Sequence, residues 1–315
     1  MKGPYIGSAY YPEDWSEEEL PRDIARMKNA GMNVARIGEF AWYKMEPEEG
    51  KFDFAWLHRI VDALREAEIA VVMGTPSACP PVWFVEKHPD ALKMDANGQR
   101  STHGGRRHCC SNHPAYRFYS LRIAEMLARE FGQDENVISW QIDNEIYSNM
   151  EIGCCCDLCV ESFHHYLERK YGTVDALNRQ WNLNLFSQAY ASFDQVPAPG
   201  HAWHNPHLLL DWTLCHADDH IRFIHDQADV LRRYTDAPIG TDMMPFGGVD
   251  HRKMNEKLDV VQYNHYNTCE NLWHFAFWSD YMRTLRDTPF WVTESSLFPI
   301  RPAALPAALS SVAAA

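Results

Sequence analysis

Two glutamates in this sequence stand where acid–base chemistry would need them. Glu145 follows the apolar segment VISWQIDN, and Glu294 follows the apolar segment FWVT. If these segments are the fourth and seventh strands of one barrel, both glutamates face its mouth from opposite sides. Carboxyl pairs across a cleft carry out glycoside hydrolysis. For one such glutamate a salt bridge at the strand end is an equally good interpretation, but for both together it is the weaker one.

A cluster of cysteines is the second chemical signal. Nine cysteines occur in the chain, and the spacing Cys-x-Cys-x-x-Cys at Cys154, Cys156 and Cys159 places three thiols within one loop and the start of a helix. A fourth thiolate would complete a tetrahedral zinc site, which would be structural because no position remains open for water. The alternative is a set of free thiols in a reducing compartment, where disulfides are rare.

Strand-like and helix-like segments alternate along most of the chain. Seven apolar segments predict buried strands: 5–11, 32–38, 70–76, 137–142, 238–244, 258–266 and 288–296. Five longer segments predict helices: 16–31, 54–69, 116–132, 159–172 and 208–234. An alternating order of this length predicts an α/β fold of the TIM (β/α)8-barrel type. No Gly-x-Gly-x-x-Gly follows the first strand, which disfavours an open dinucleotide-binding sheet.

Charge and hydropathy exclude several classes of partner. The formal charge is −14, from 29 basic and 43 acidic residues, whereas nucleic-acid-binding proteins carry clustered positive charge. No window reaches the roughly 18 apolar residues of a membrane span. The N-terminus MKGPYIGSAYYPEDW lacks the apolar run of a signal peptide. We therefore expect a cytoplasmic protein without nucleic-acid or membrane partners.

A series of motifs resembles glycoside hydrolase family 42, the β-galactosidases. The supporting stretches run in family order from residue 9 to about 296: AYYPEDW, NVARIGEFAWYKMEPEEGKFDFAWL, GTPSACPPVWF, RRHCCSNHPAYR, WQIDNE, CCCDLC and VTES. The resemblance implies a retaining hydrolase that removes terminal non-reducing β-D-galactose from lactose-like or plant oligosaccharides by double displacement. An α-L-arabinopyranosidase, or a catalytically inactive sugar-binding fragment with a zinc site, remains an alternative.

The resemblance also implies roles for individual residues. Glu145 matches the general acid/base of the family, and Glu294 matches the nucleophile. Phe186 stands where the family usually has a tryptophan that lines the cleft. The residues that the resemblance implies in substrate binding are Arg106, Asn144, Tyr266 and Phe186.

The fourth metal ligand comes from the same resemblance. Cys110 follows Arg-Arg-His-x, as the corresponding cysteine of the family does. The implied ligands of a structural zinc ion are therefore Cys110, Cys154, Cys156 and Cys159. Cys109 and Cys155 are neighbours that leave the register of this assignment open. The family commonly forms trimers, which implies a homotrimeric parent enzyme.

The C-terminal end departs from the barrel pattern. After TESSLFPI the chain continues as RPAALPAALSSVAAA, which carries no charge after Arg301 and contains two prolines. This segment does not resemble a buried strand followed by a covering helix. We expect a catalytic barrel domain over 1–300 with about seven strands, incomplete at its C-terminal end, and a non-native-looking tail over 301–315.

Overall fold

The structure is a computed structural model that describes residues 4–146, 153–200, 202–245, 248–266 and 272–295. Its strands are β1 (Gly7–Ala9), β2 (Val34–Ile37), β3 (Ala70–Gly74), β4 (Val137–Gln141), β5 (Ile239–Gly240), β6 (Asp242–Met243), β7 (Val261–His265) and β8 (Phe290–Ser295). Its α-helices are α1 (Leu20–Asn29), α2 (Trp42–Met45), α3 (Ala55–Glu66), α4 (Val82–Lys87), α5 (Pro114–Phe131), α6 (Asp157–Tyr171), α7 (Val174–Gln180), α8 (Pro206–Leu231), α9 (His251–Met254) and α10 (Leu272–Arg283).

The strands follow one another in space in the order of the chain, and every pair is parallel. Strands β1 to β5 form one sheet, and β6 to β8 form a second. Thr241 alone separates β5, which pairs with β4, from β6, which pairs with β7. These two short strands therefore act as one strand position that joins both sheets. Seven strand positions in chain order are the arrangement that a barrel requires.

All seven predicted strands are present, but the expectation that they are buried is wrong for the first. Gly7 and Ser8 of β1 are exposed, and Ala9 is half-buried. Among the described residues β1 is hydrogen-bonded only to β2 and β8 only to β7, although β1 and β8 lie close to each other. The tail over 301–315, and the residues from 296 onward that would follow β8, lie outside the described residues.

The five predicted helices correspond to α1, α3, α5, α6 and α8. Helix α8 shows how local sequence starts such an element, because the Asn205 side chain accepts a hydrogen bond from the backbone N–H of His207 and Pro206 occupies the first turn.

Helix α10 was not predicted. Its sequence LWHFAFWSDYMR is rich in aromatic residues, which are weak helix formers. None of the helices in the described part of the chain is long and apolar enough to span a bilayer.

Two apolar clusters hold the fold together. The larger lies between the strands and the surrounding helices, and there the rings of Tyr116 on α5 and Phe223 on α8 stack at 5.1 Å. The smaller lies under α6, α7 and the first half of α8, where Phe163 and Trp212 meet edge to face at 5.0 Å. The second cluster supports the chain that follows β4.

Gly74, at the end of β3, permits a close approach of two strand ends. A Cβ atom at this position would lie 2.6 Å from Cβ and 2.8 Å from Cα of Glu39, which is fully buried. We expect Gly74→Ala to lower the free energy of unfolding by about 1–3 kcal/mol through overpacking, measured by urea denaturation. The control is Gly200→Ala, whose new Cβ would meet only His204 Nε2, at 3.9 Å. An unchanged midpoint for Gly74→Ala contradicts this account.

Candidate active site

The guanidinium of Arg36 lies at the centre of the polar groups at the carboxyl ends of the strands. Arg36 is 4% exposed. Its Nε donates to Glu39 Oε1 at 2.9 Å, its Nη1 to Gln141 Oε1 at 2.9 Å, and its Nη2 to Glu294 Oε1 at 2.5 Å. Asp242 Oδ2 lies 3.6 Å from Nη1. A buried cation is stable only when it is paired in this way. Arg36 therefore contacts polar groups at the ends of several strands.

Glu294, on β8, is held as a carboxylate. Its Oε1 accepts from Arg36, and its Oε2 accepts a short hydrogen bond from the hydroxyl of Tyr266. Burial raises the pKa of Glu294, but the charge of Arg36 and the hydrogen bonds from Tyr266 and Arg36 outweigh it, and the pKa lies below its ordinary value. The group is therefore ionised at neutral pH.

Glu145 follows β4 and has different partners. Its Oε1 accepts from Asn264 Nδ2 at 3.0 Å, and its Oε2 lies 3.1 Å from Arg106 Nη2. Its backbone N–H donates to Asp242 Oδ1 at 2.9 Å. Both Asp143 (φ 55°) and Glu145 (φ 50°) occupy the left-handed region, which is costly for residues with a Cβ. The surrounding hydrogen bonds hold this short segment in an unusual conformation.

Asn144, between these two residues, is buried and points toward the same groups. In the amide orientation that satisfies both neighbours, it donates to Asp242 Oδ2 at 3.2 Å and accepts from Arg106 Nη1 at 2.5 Å. The guanidinium of Arg106 also lies over the ring of Phe40, 5.6 Å from its centroid. Arg106 is therefore fixed on one side by stacking and on the other by the segment after β4.

The structure brings five of the six predicted site residues into one network. Glu145, Asn144 and Arg106 contact one another or share partners, and they join the pair of Glu294 and Tyr266 through Asp242 and Arg36. The ring of Phe186 does not join this network among the described residues. It packs against the ring of Trp203, with 5.5 Å between the ring centroids. Phe186 is 66% exposed. Its place at the edge of the cleft stays a prediction.

Sequence reasoning missed three residues that hold this network. Arg36, Asp242 and Asn264 are polar residues within otherwise apolar strand segments, in ARIG, TDMM and QYNHY. All three are buried. A buried polar residue near the carboxyl end of a predicted barrel strand was the signal that could have identified them, because such residues must find partners.

Four cysteine sulfurs form a compact group at the start of α6. The Sγ atoms of Cys110, Cys154, Cys156 and Cys159 all lie within 4.8 Å of one another, and all four residues are buried. The distance from Cys110 is 3.4 Å to Cys159 and 3.7 Å to Cys156. Tetrahedral bonds of about 2.3 Å place sulfurs about 3.8 Å apart. This cluster could therefore hold a metal ion, and Cys155 is outside it.

The cysteine cluster is tied by backbone hydrogen bonds to the segment that carries Arg106. Within 91–94, Lys93 N donates to His108 O at 2.9 Å, and Ala91 O accepts from Cys110 N at 2.8 Å. Met94 O accepts from Cys155 N at 2.7 Å. The same short segment thus joins the chain after Arg106 to the chain after Glu145.

Comparisons with known proteins agree with these observations. The family model of glycoside hydrolase family 42, described as β-galactosidase, matches residues 9–302. The chain is 38% identical over 295 residues to β-galactosidase YesZ of Bacillus licheniformis, covering 93% of this chain and 44% of the relative. It is 38% identical over 299 residues to YesZ of Bacillus subtilis, covering 94% and 45%. The chain thus spans less than half the length of these relatives.

Solved structures show the same relationship. The β-galactosidase of the haloarchaeon Halorubrum lacusprofundi superposes with a TM-score of 0.86 at 32% identity, covering 93% of this chain and 47% of that one. The cold-adapted β-galactosidase of Rahnella sp. R3 superposes with a TM-score of 0.88 at 31% identity, covering 94% and 45%. The predicted TIM-barrel fold is confirmed, with seven strand positions in the described part.

Removing the cation at the centre of the network should be costly. Arg36→Met leaves three buried or half-buried carboxylates without their shared partner, so we expect the free energy of unfolding at pH 7 to fall by about 3–5 kcal/mol. Urea denaturation measures this loss. The control is Arg26→Met, which breaks an exposed pair with Asp23 and should cost about 1 kcal/mol or less.

The cost of Arg36→Met should also depend on pH. The lowered pKa of Glu294 means that its ionisation stabilises the fold above the ordinary glutamate pKa, and that this stabilisation is lost as pH falls through the lower folded value. Without Arg36, protonation of the buried carboxylates stabilises the folded variant. The difference in free energy of unfolding between wild type and variant should therefore shrink from pH 7 to about pH 4. A difference that is constant or grows contradicts this interpretation.

Proposed function

The chain belongs to glycoside hydrolase family 42, and we propose that it is the catalytic part of a retaining β-galactosidase. The substrates would be lactose-like or plant-derived oligosaccharides with a terminal non-reducing β-D-galactose. One observation carries this proposal: two carboxyl groups at the barrel mouth share one network yet have unlike partners. Glu294 is held ionised by Arg36 and Tyr266, while Glu145 is held by Asn264 and Arg106.

The different partners of Glu294 and Glu145 fit the two steps of a double displacement, which need a nucleophile and an acid/base. In the first step, a Glu294 oxygen bonds to the anomeric carbon as the glycosidic carbon–oxygen bond breaks, and Glu145 gives its proton to the departing oxygen. In the second, Glu145 takes a proton from water, whose oxygen attacks the same carbon and releases Glu294. Two inversions leave the anomeric configuration unchanged. Positioned proton transfer of this kind contributes about 10²–10⁴-fold in rate.

The surrounding residues fit roles in binding and charge stabilisation. Arg36 and Tyr266 favour the ionised Glu294, which makes it a good leaving group in the second step. Asn144 lies beside Glu145, where its amide would bond the sugar 2-hydroxyl, a contact that strengthens in the transition state. Arg106 faces the same side and would contact galactose. Phe186 would line the edge of the cleft.

We further propose that the four-cysteine cluster holds zinc as a structural ion. The donor set supports this, because four thiolates at these separations fit tetrahedral zinc and leave no coordination position for substrate or water. When bound, zinc would cross-link the chain after Arg106 to the chain after Glu145, with a contribution on the order of 10 kcal/mol to ordering this region.

We also propose a cellular compartment, domain bounds and an oligomeric state for the protein. Thiolates kept as metal ligands suit a reducing compartment, so we infer a cytoplasmic protein. The match over residues 9–302 supports a catalytic domain over 1–300, with 301–315 as a separate tail. A homotrimeric parent enzyme stays a prediction, which the molar mass of the full-length protein in solution would test.

Covalent trapping tests the proposed mechanism. A galactosyl donor with fluorine at carbon 2 and a good leaving group should form a stable ester, because fluorine slows both displacements and the good leaving group restores the rate of the first one only. We expect intact mass spectrometry to show one added sugar per chain and peptide mapping to place it on Glu294. Glu294→Gln should show no adduct. Folded protein without an adduct, or an adduct on another residue, contradicts the proposal.

Metal content tests the zinc proposal. We expect about one zinc ion per chain after purification, and Cys156→Ser should lower both the zinc content and the melting temperature because one thiolate is lost. Elemental analysis and thermal denaturation measure these. Cys155→Ser is the matched control, since Cys155 is adjacent in sequence but outside the cluster. Equal effects of the two substitutions, or a metal-free protein of unchanged stability, would rule the site out.

A further inference from the structure

Asp242, the first residue of β6, is a buried acid that the proposed reaction does not yet use. Its carboxyl group is fully buried. Oδ1 accepts the backbone N–H of Glu145 at 2.9 Å. Oδ2 accepts from Asn264 Nδ2 at 3.1 Å and from the amide of Asn144 at 3.2 Å, and it lies 3.6 Å from Arg36 Nη1. Burial raises the pKa of Asp242, as does the charge of Glu294, whereas the charge of Arg36 and the backbone N–H of Glu145 oppose this rise. Because every one of the neighbours that face its two oxygens is a donor, the ionised carboxyl is the form that satisfies them all.

Two of these contacts end on Glu145. The first is direct and holds the backbone of Glu145, which has a φ of 50°. The second passes through Asn264, whose Nδ2 is shared between Asp242 Oδ2 and Glu145 Oε1 at 3.1 and 3.0 Å. The hydroxyl of Thr293 donates to Asn264 Oδ1 at 2.9 Å, which fixes the orientation of that amide. Asp242 therefore holds both the main chain and the side chain of Glu145.

We propose that Asp242 is a positioning residue for proton transfer: its buried carboxylate sets the backbone conformation of Glu145 and, through Asn264, the direction of the Glu145 carboxyl group. This inference rests on the proposed function, in which Glu145 is the acid/base. It adds a residue that acts through Glu145 and does not touch the sugar.

Glu294 depends much less on Asp242. Its oxygens accept from Arg36 and Tyr266. Arg36 in turn is held by Glu39 at 2.9 Å, closer than the 3.6 Å that separates it from Asp242. Loss of Asp242 should therefore disturb the proton donor while leaving the nucleophile in place.

Asp242→Asn changes this arrangement with little change of shape. The new amide has one acceptor and one NH₂ group, but every neighbour of Asp242 is a donor. If its oxygen faces the backbone N–H of Glu145, its NH₂ faces Asn264. If it is turned, its NH₂ faces Glu145. One of the two contacts that position Glu145 is lost in either orientation.

The leaving group distinguishes a misplaced acid from a general loss of function. Galactosides with a sugar leaving group, such as lactose, need proton donation, whereas a 2,4-dinitrophenyl leaving group departs without it. For Asp242→Asn we expect kcat/KM to fall about 100-fold or more for lactose and less than about fivefold for 2,4-dinitrophenyl β-galactoside. Azide, which attacks without base assistance, should raise kcat of the variant on the dinitrophenyl substrate and yield β-galactosyl azide.

Thr241→Val is the matched control. Thr241 is the adjacent buried residue, and its hydroxyl donates to Ile142 O at 2.7 Å, so the variant also loses one buried hydrogen bond. It should change kcat/KM for both substrates by the same factor and show no response to azide. Thermal denaturation of both variants shows that the comparison is made on folded protein.

A second variant covers the case in which Asp242→Asn does not fold. Thr293→Val keeps the shape of the side chain but removes the donor that orients Asn264, so it should also lower kcat/KM more for lactose than for the dinitrophenyl substrate. Equal losses on both substrates without an azide response, or no loss, in the folded variant overturns the role of Asp242. A wild-type chain that hydrolyses neither substrate instead overturns the proposed function, and this inference with it.

Discussion

The buried guanidinium of Arg36 is the constraint on which the polar end of the barrel depends. It lies at the end of β2 and contacts Gln141 on β4, Asp242 on β6 and Glu294 on β8. Without these partners a charge that is 4% exposed would be strongly destabilising. The need to pair one cation therefore brings distant strand ends to the same point, and the candidate site is built around that point.

The same constraint separates the surroundings of the two glutamates. Glu294 accepts from a buried cation and a phenol, which favour its ionised form. Glu145 accepts from the neutral amide of Asn264 and lies beside Arg106, which is partly exposed. Pairs of carboxyl groups in unlike surroundings are how one fold provides both an acid and a nucleophile. Asp242 connects the two sides, since it contacts Arg36 on one and holds Glu145 on the other.

The cysteine cluster is linked by hydrogen bonds to a short segment that also contacts the chain after Arg106. Cys110 is joined through Ala91 to the segment 91–94, which also contacts the chain beside Cys154. Arg106 lies four residues before Cys110, and Glu145 lies nine residues before Cys154. A metal held by these sulfurs would restrict the relative movement of the chain after Arg106 and the chain after Glu145.

The sequence by itself determined the strand segments, five of the helices, the glutamates after the fourth and seventh strands, and the cysteine spacing, because each depends on neighbouring residues. Only the tertiary structure decided which residues hold those glutamates. Arg36 and Glu294 are 258 positions apart, and Asn264 and Glu145 are 119 apart, so no local pattern records that they meet. The solvent exposure of Gly7 and Ser8 on β1 likewise depends on how the strands pair, which the local sequence does not record. Local periodicity determines each element, whereas partners of buried polar groups exist only once the strands have come together.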